Sequence, residues 1–174
     1  EKHVETVKRT KILYNESLTW RPDTKISDSR IQKDYANSRN QKEADYGDLN
    51  ISEKSFKLIA KMPRLESLIL NRADFDESWL VYLNKAPIKH LGLHATPVTD
   101  KSVPLILEMK KLESLDVGDT DLTDKGLEEL CSSKTLKHLD LNLPRRITAN
   151  GIKHIAKLKQ LQLLELPFPK NFDG

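Results

Sequence analysis

The sequence has little of what several common protein classes require. Only one of its 174 residues, Cys131, is a cysteine, which excludes an intrachain disulfide and a cysteine-rich zinc site. No apolar run approaches the length of about 18 residues that a membrane-spanning helix needs, so no membrane span is predicted. A lone cysteine is compatible both with a reducing cytosol and with an exported protein that uses no disulfides. The compartment is therefore left open.

The charge is nearly balanced. Lys and Arg total 29 and Asp and Glu total 26, which gives a formal net charge of +3. This balance does not predict binding to nucleic acid or to an anionic membrane. Charged residues make up 32% of the chain and hydrophobic residues 37%, which indicates a lean core unlike that of an ordinary compact enzyme domain. The length fits one domain, or one domain with an extension.

The apolar residues repeat along the chain. In one unit they are Leu112, Leu115, Val117, Leu122, Leu127 and Leu130. The same spacing, with small insertions and deletions, starts at residues 65, 88, 112, 136 and 161, so successive units are 23 to 25 residues long. The first half of each unit has apolar residues two apart, which is strand spacing, and the second half has them three apart, which is helical spacing.

A helix-capping residue stands at the same place in five units. These residues are Ser52, Asp76, Thr99, Thr123 and Thr148. A side-chain oxygen at this place can accept from an unpaired N–H group in the first helical turn. Each unit is therefore predicted to form a short strand, a turn and a short helix. One such unit cannot bury its own apolar face, so the units must stack, with their strands in one parallel sheet.

The motif carried by residues 112–130, LESLDVGDTDLTDKGLEEL, resembles a leucine-rich repeat, most of all the short bacterial or cysteine-containing subclass. The resemblance covers about residues 44–174. It implies an α/β leucine-rich-repeat solenoid, a curved right-handed superhelix with parallel strands on its concave face and short helices on its convex face. The function predicted with this fold is non-enzymatic binding of a protein or peptide, without a cofactor.

The two ends of the array are less regular. Residues 1–43 are predicted to be an N-terminal cap of degenerate repeat material, in which Leu18 and Trp20 belong to a weak unit with Ser27 as its helix N-cap. Residues 32–42 are interpreted as a loop, and 42–46 as a poor strand with Ala44 and Tyr46 inward. The last strand, near 161–166, would leave an open sheet edge. The tail 167–174, a homodimer or a longer chain could each cover that edge.

Three positions in each strand are predicted to face the concave side. The first reads Glu43, Ser67, His90, Ser114, His138 and Leu163; the second reads Asp45, Ile69, Gly92, Asp116, Asp140 and Glu165; the third reads Gly47, Asn71, His94, Gly118, Asn142 and Pro167. Neighbouring strands lie about 4.8 Å apart, so each set forms a ladder. The predicted site binds a protein or peptide segment, preferably one containing Lys or Arg. Its residues are His90, His94, Asp116, His138, Asp140, Asn142 and Glu165.

Two other functions remain open. The chain could be a structural or targeting segment of a larger protein. The concave face could also carry a metal-dependent or hydrolytic site, since Ser114 lies between His90 and His138 with Asp116 nearby. Against this, a flat sheet offers no pocket and commits its N–H groups to the strand ladder. His90 and His94 lie about 13 Å apart on one strand and cannot share a metal ion. No catalytic residue and no metal ligand is therefore assigned.

One flank of the solenoid is predicted to be basic. Lysines precede each strand, at Lys61, Lys85, Lys110, Lys111, Lys134, Lys157 and Lys159. No aromatic residues interleave with them, so nucleic-acid binding is not expected. The flank is interpreted as a solvated surface, although it could also meet phosphate or an acidic protein. Trp79 and Tyr82 are expected to pack, half-buried, on the convex side.

Overall fold

A computed structural model describes residues 24–166, with side chains from Ser27 onward. It contains one sheet of six short strands, all parallel and in sequence order. The strands are β1 (Glu43–Asp45), β2 (Ser67–Ile69), β3 (His90–Gly92), β4 (Ser114–Asp116), β5 (His138–Asp140) and β6 (Leu163–Glu165). Consecutive strands are always neighbours, as stacked repeat units require.

The strand register confirms the repeat spacing. Ser67 pairs with His90, His90 with Ser114, and Ser114 with His138. The residue that follows each of these points into the core, and Leu68, Leu91, Leu115 and Leu139 are at most 2% exposed. Because one side of the sheet is fully buried, a shift by one residue would expose every such leucine, and this fixes the register.

Helical segments connect the strands on the other side of the core. The α-helices are α1 (Thr24–Ala36), α2 (Glu53–Ile59), α3 (Val103–Leu107), α4 (Asp124–Leu130) and α5 (Ala149–Ile152), and shorter or tighter 3-10 segments cover Ser38–Asn40, Glu77–Lys85, Asp100–Ser102 and Lys153–Lys157. The long 3-10 segment Glu77–Lys85 lies in the unit of only 23 residues. A 3-10 helix rises about 2.0 Å per residue against 1.5 Å for an α-helix, so it spans the connection with fewer residues. None of the described helices is long and apolar enough to cross a membrane.

All five predicted N-caps are confirmed. The side chains of Ser52, Asp76, Thr99, Thr123 and Thr148 each accept a hydrogen bond from a backbone N–H in the first turn of the following helix. Trp79 and Tyr82 are partly buried and pack against the core, as expected.

Most of these cap residues also donate hydrogen bonds to a carboxylate of the preceding unit. Asp100 accepts from the N–H and hydroxyl of Thr123 at 2.8 and 2.6 Å, and Asp124 accepts from the same groups of Thr148 at 2.7 and 2.6 Å. The carboxylate lies so close to the next helix that a Cβ atom at Gly126 would overlap the Asp100 carboxylate. The Thr-Asp-x-Gly sequence of the repeat therefore has a physical reason: Thr caps the helix, Asp binds the next cap, and Gly leaves room for the preceding Asp.

The N-terminal region is more helical than predicted. The assignment of Ser27 as an N-cap was wrong, because Ser27 is buried inside α1. The loop interpretation of 32–42 was wrong in its first part, since α1 continues to Ala36 and Ser38–Asn40 forms a 3-10 turn. The inward positions of Ala44 and Tyr46 are confirmed, at 7% and 0% exposure.

Some predictions fall outside the described residues. These concern the weak unit's Leu18 and Trp20, the concave position of Pro167 and the tail 167–174. The boundary between a cap at 1–43 and a repeat domain at 44–174 stays a prediction.

Candidate functional site

The sheet face opposite the helices, here called the concave face, carries the three predicted ladders of side chains. Strand pairing aligns Gly92 with Asp116, Asp116 with Asp140, and Asp140 with Glu165. The acidic rungs therefore lie side by side on β4, β5 and β6. Neighbouring parallel strands are about 4.8 Å apart, so these three carboxyl groups share one patch.

Two of these carboxylates also hold the backbone where their strands end. Asp116 accepts from the N–H of Gly118 at 2.9 Å, and Asp140 accepts from the N–H of Asn142 at 2.8 Å. Asp45, at the same position on β1, makes the same contact with Gly47 at 2.9 Å. An aspartate at this position therefore has a structural role as well as a charge, and a substitution that removes only the charge must keep the acceptor oxygen.

The backbone at the end of β3 is held by a different side chain. It has Gly92 where its neighbour has Asp116, so it lacks its own acceptor for the N–H of His94. Asn71 from the preceding unit accepts that N–H at 3.1 Å. A Cβ atom on Gly92 would lie 2.8 Å from the same Asn71 oxygen, which shows that the amide occupies the space of the missing side chain.

A shallow hollow lies over β4, β5 and β6. Its volume is about 210 Å³, and we call it the acidic hollow; it is lined by Ser114, Leu115, Asp116, His138, Leu139, Asp140, Leu163 and Glu165. The hollow brings together four of the seven predicted site residues, namely Asp116, His138, Asp140 and Glu165. It combines three carboxyl groups with one exposed apolar side chain, Leu163, which is 47% exposed.

Asp116 is a half-buried carboxyl group of the hollow. Burial raises its pKa, the charge of Asp140 raises it further, and the N–H of Gly118 and nearby His94 oppose the increase. His94 Nδ1 lies 3.8 Å from Asp116 Oδ1, which is a close ion-pair distance when the imidazole is protonated. A carboxylate held in a partly desolvated acidic patch interacts favourably with an added cation.

The other predicted site residues are peripheral to the hollow. His90 is exposed on β3 and does not line it, while His94 contacts it only through Asp116. Asn142 contributes its backbone N–H to Asp140. The structure thus divides the seven predicted residues into four that line the hollow and three that lie beside it, namely His90, His94 and Asn142.

Leu163 is the residue that sequence reasoning left out of the site. It occupies the concave position that holds Glu, Ser or His on the first five strands. The sequence pattern could have indicated this residue, because it is apolar in an otherwise polar ladder. Its exposure of 47% makes it one of the few large apolar side chains on the described surface.

The chemical alternatives receive no support from the geometry. Between residues 24 and 166, no three His, Cys, Asp or Glu side chains are grouped closely enough to hold a metal ion. Ser114 does lie between His90 and His138 in register. Its backbone N–H donates to the carbonyl of Lys89 at 2.9 Å, however, and so it cannot stabilise an oxyanion.

Comparison with known proteins identifies the class of fold. The family model described as leucine rich repeat matches residues 108–131. No curated protein matches the chain. An internalin from Listeria monocytogenes is similar in structure with a TM-score of 0.59 and 19% identity, over 78% of this chain and 37% of the internalin. The C-terminal domain of tropomodulin from Caenorhabditis elegans is similar with a TM-score of 0.54 and 11% identity, over 79% of this chain and 92% of that domain.

The chain therefore has the α/β solenoid fold of leucine-rich repeats, and one repeat, at residues 108–131, matches the family model. The prediction made from the leucine spacing is confirmed at the level of the fold. This chain spans little more than a third of the length of the internalin that it resembles, so its own partner and site are matters for proposal.

Proposed function

We propose that this chain is a non-enzymatic protein-binding module whose concave face receives a basic segment of its partner. The observation that carries this proposal is the acidic hollow, in which Asp116, Asp140 and Glu165 line one shallow volume beside exposed Leu163. No step of the proposal needs a cofactor.

The chemistry of the hollow favours Lys or Arg over other side chains. Both side chains combine an apolar stem with a cationic end. In the hollow the stem would lie on Leu163 while the charge pairs with the carboxylates. Arg is the better fit, because its planar guanidinium can make two parallel hydrogen bonds to a carboxylate.

The rigidity of the sheet supports binding. Each strand is held by a parallel neighbour in fixed register, and the strand ends are held by the aspartates themselves. A rigid surface loses little conformational entropy when a partner binds. His90 and His94 lie on the β3 side of the hollow and would contact partner residues on that side of the basic side chain.

The test uses charge removal that preserves the backbone contacts. The variant Asp116→Asn/Asp140→Asn/Glu165→Gln keeps an acceptor oxygen at each position. Asp45→Asn is the control for the strand-end contact, since Asp45 has the same ladder position and the same contact but lies on β1, outside the hollow. The probe is a labelled decapeptide of alternating Arg and Ser, measured by fluorescence anisotropy.

We expect the triple variant to bind the arginine peptide at least tenfold more weakly than wild type, because removing a charged partner from a contact costs about 1.4 kcal/mol or more. The control should bind within twofold of wild type. Equal affinities of wild type and triple variant, with circular dichroism showing both folded, would reject the concave face as the binding site.

A further inference from the structure

The flank at which the strands begin carries lysines in register. Lys110, Lys134 and Lys159 each lie two residues before the first core residue of their units, Leu112, Leu136 and Leu161. All three lysines are exposed. Because consecutive units stack, these three positions form a row along the solenoid axis. We call this row, together with exposed Lys85 and Lys111, the basic flank.

At the second residue of each unit, lysines are neutralised by glutamates of a neighbouring unit. Negative and positive side chains alternate there from one unit to the next. Lys89 pairs with Glu66 at 3.0 Å, and Lys137 pairs with Glu113 at 2.9 Å. Every second unit thus supplies a carboxylate for the lysine beside it.

The basic flank lacks this arrangement. Lys110 lies 3.4 Å from Glu108 in its own unit. Over the described residues, no carboxylate forms an ion pair with Lys134 or Lys159. Like charges in neighbouring units repel one another, and an anionic partner would relieve this repulsion.

A second hollow lies between two of these lysines. It has a volume of about 280 Å³ and is lined by Lys110, Lys134, Ser132, Ser133 and Thr135, together with Leu107 and Glu108. The oxygen of Ser133 already accepts from the N–H groups of Thr135 and Leu136, at 3.3 Å each. Its hydroxyl hydrogen, like those of Ser132 and Thr135, can be donated to an anion. The hollow therefore offers three hydroxyl groups and the ammonium group of Lys134 to one carboxylate, while Lys110 is shared with Glu108.

We propose that the basic flank binds an extended protein segment rich in Asp and Glu. One carboxylate occupies the second hollow, and carboxylates further along the segment pair with Lys111 and Lys159. A protein segment is favoured over a nucleic acid because the lining of the hollow has no aromatic side chain on which a base could stack. This surface is separate from the concave face and selects the opposite charge.

The experiment compares two triple charge reversals. Lys110→Glu/Lys134→Glu/Lys159→Glu alters the basic flank. Lys54→Glu/Lys101→Glu/Lys125→Glu is the matched control: its three lysines are exposed near helix starts, and the formal charge changes by the same amount. Glutamate near a helix start is compatible with the helix dipole, so the control should fold. The probe is a labelled decapeptide of alternating Glu and Ser, titrated at 150 mM salt.

We expect wild type and the control to bind this peptide within threefold of each other, and the flank variant to bind at least tenfold more weakly. A peptide with Gln in place of Glu should not bind. Equal weakening in both variants would show attraction to net charge alone and would overturn the proposal, as would no binding to wild type at about 1 mM peptide.

Two further results would assign a different kind of partner to the basic flank. Tighter binding of a single-stranded RNA decamer than of the acidic peptide would assign the flank to nucleic acid. Self-association of the protein by sedimentation that is lost in the flank variant, with no peptide binding, would assign it to a second copy of this chain. Either result overturns the proposal of an acidic protein segment.

Discussion

The contact between Asp100 and Gly126 allows a quantitative test of how neighbouring units are joined. Replacing Gly126 with Ala places a Cβ atom on the carboxylate of Asp100 and 2.6 Å from a methyl carbon of Leu122. The carboxylate must then move away from the next helix. Its two hydrogen bonds to Thr123, at 2.8 and 2.6 Å, would be lost or lengthened.

The size of the effect follows from three contributions. Two partly exposed hydrogen bonds to a charged acceptor contribute about 2–3 kcal/mol together. Displacing the buried Leu122 methyl costs about 1 kcal/mol. The better helix propensity of Ala returns about 1 kcal/mol. Gly126→Ala should therefore destabilise the protein by about 2–3 kcal/mol, although the same substitution stabilises most helices.

A double-mutant cycle isolates the cause. In an Asp100→Ala background the two hydrogen bonds are already absent, so Gly126→Ala should cost no more than about 1 kcal/mol. The free energy of unfolding is measured by urea denaturation for wild type, both single variants and the double variant. A coupling energy of about 2 kcal/mol is expected. A coupling below about 0.5 kcal/mol would refute the explanation of the glycine by the preceding aspartate.

Three further predictions concern single side chains. Leu143 has a φ of 55°, a left-handed conformation that favours glycine, and it is 63% exposed. Leu143→Gly should therefore raise the free energy of unfolding, measured in urea, by about 0.5–1 kcal/mol. Leu143→Ala keeps the Cβ atom and should not raise it. Burial raises the pKa of Asp116, so the folded state retains this proton to higher pH than the unfolded state and loses stability as pH rises. Asp116→Asn removes that loss, and its stability relative to wild type should increase from about pH 4 to pH 7; a decrease would contradict the assignment. Leu139 is 1% exposed, so Leu139→Ala should lower the free energy of unfolding by about 2–4 kcal/mol. Leu163 is 47% exposed, so Leu163→Ala should lower it by under about 0.5 kcal/mol but should weaken binding of the arginine peptide.

The sequence predicts the repeats well because each repeat obeys two strict requirements. A strand residue such as Leu115 must be apolar to be buried, and a cap residue such as Thr123 must carry an oxygen to accept from the helix N–H. Both requirements recur at a fixed interval, so the alignment of six strands follows from spacing alone. Strand register could be read from the sequence for the same reason.

The N-terminal helix could not be read in this way. Helix α1 is largely polar, and of its residues from Ser27 onward only Ser27 and Ile31 are buried. Such a segment resembles a loop in composition, although it packs against the first repeat unit. Asp28 shows this contact, accepting from the hydroxyl groups of Ser52 and Ser55 at 2.7 and 2.6 Å.

The sequence predicted most residues of the candidate site but not its geometry. Strand alternation placed Asp116, Asp140 and Glu165 on one face. It could not show that two of these aspartates also bind the backbone where their strands end, because that depends on side-chain rotation. Nor could it show that His90 lies outside the hollow that Leu163 helps to form.

We propose above that the concave face at β4–β6 is the surface that meets a partner. Titrating isotopically labelled protein with the arginine peptide and following backbone amide resonances tests it directly. We expect little change in α2 or α4 and the largest shifts at Ser114, Asp116, His138, Asp140, Leu163 and Glu165. Shifts concentrated on the helices, or spread evenly over the chain, would contradict it.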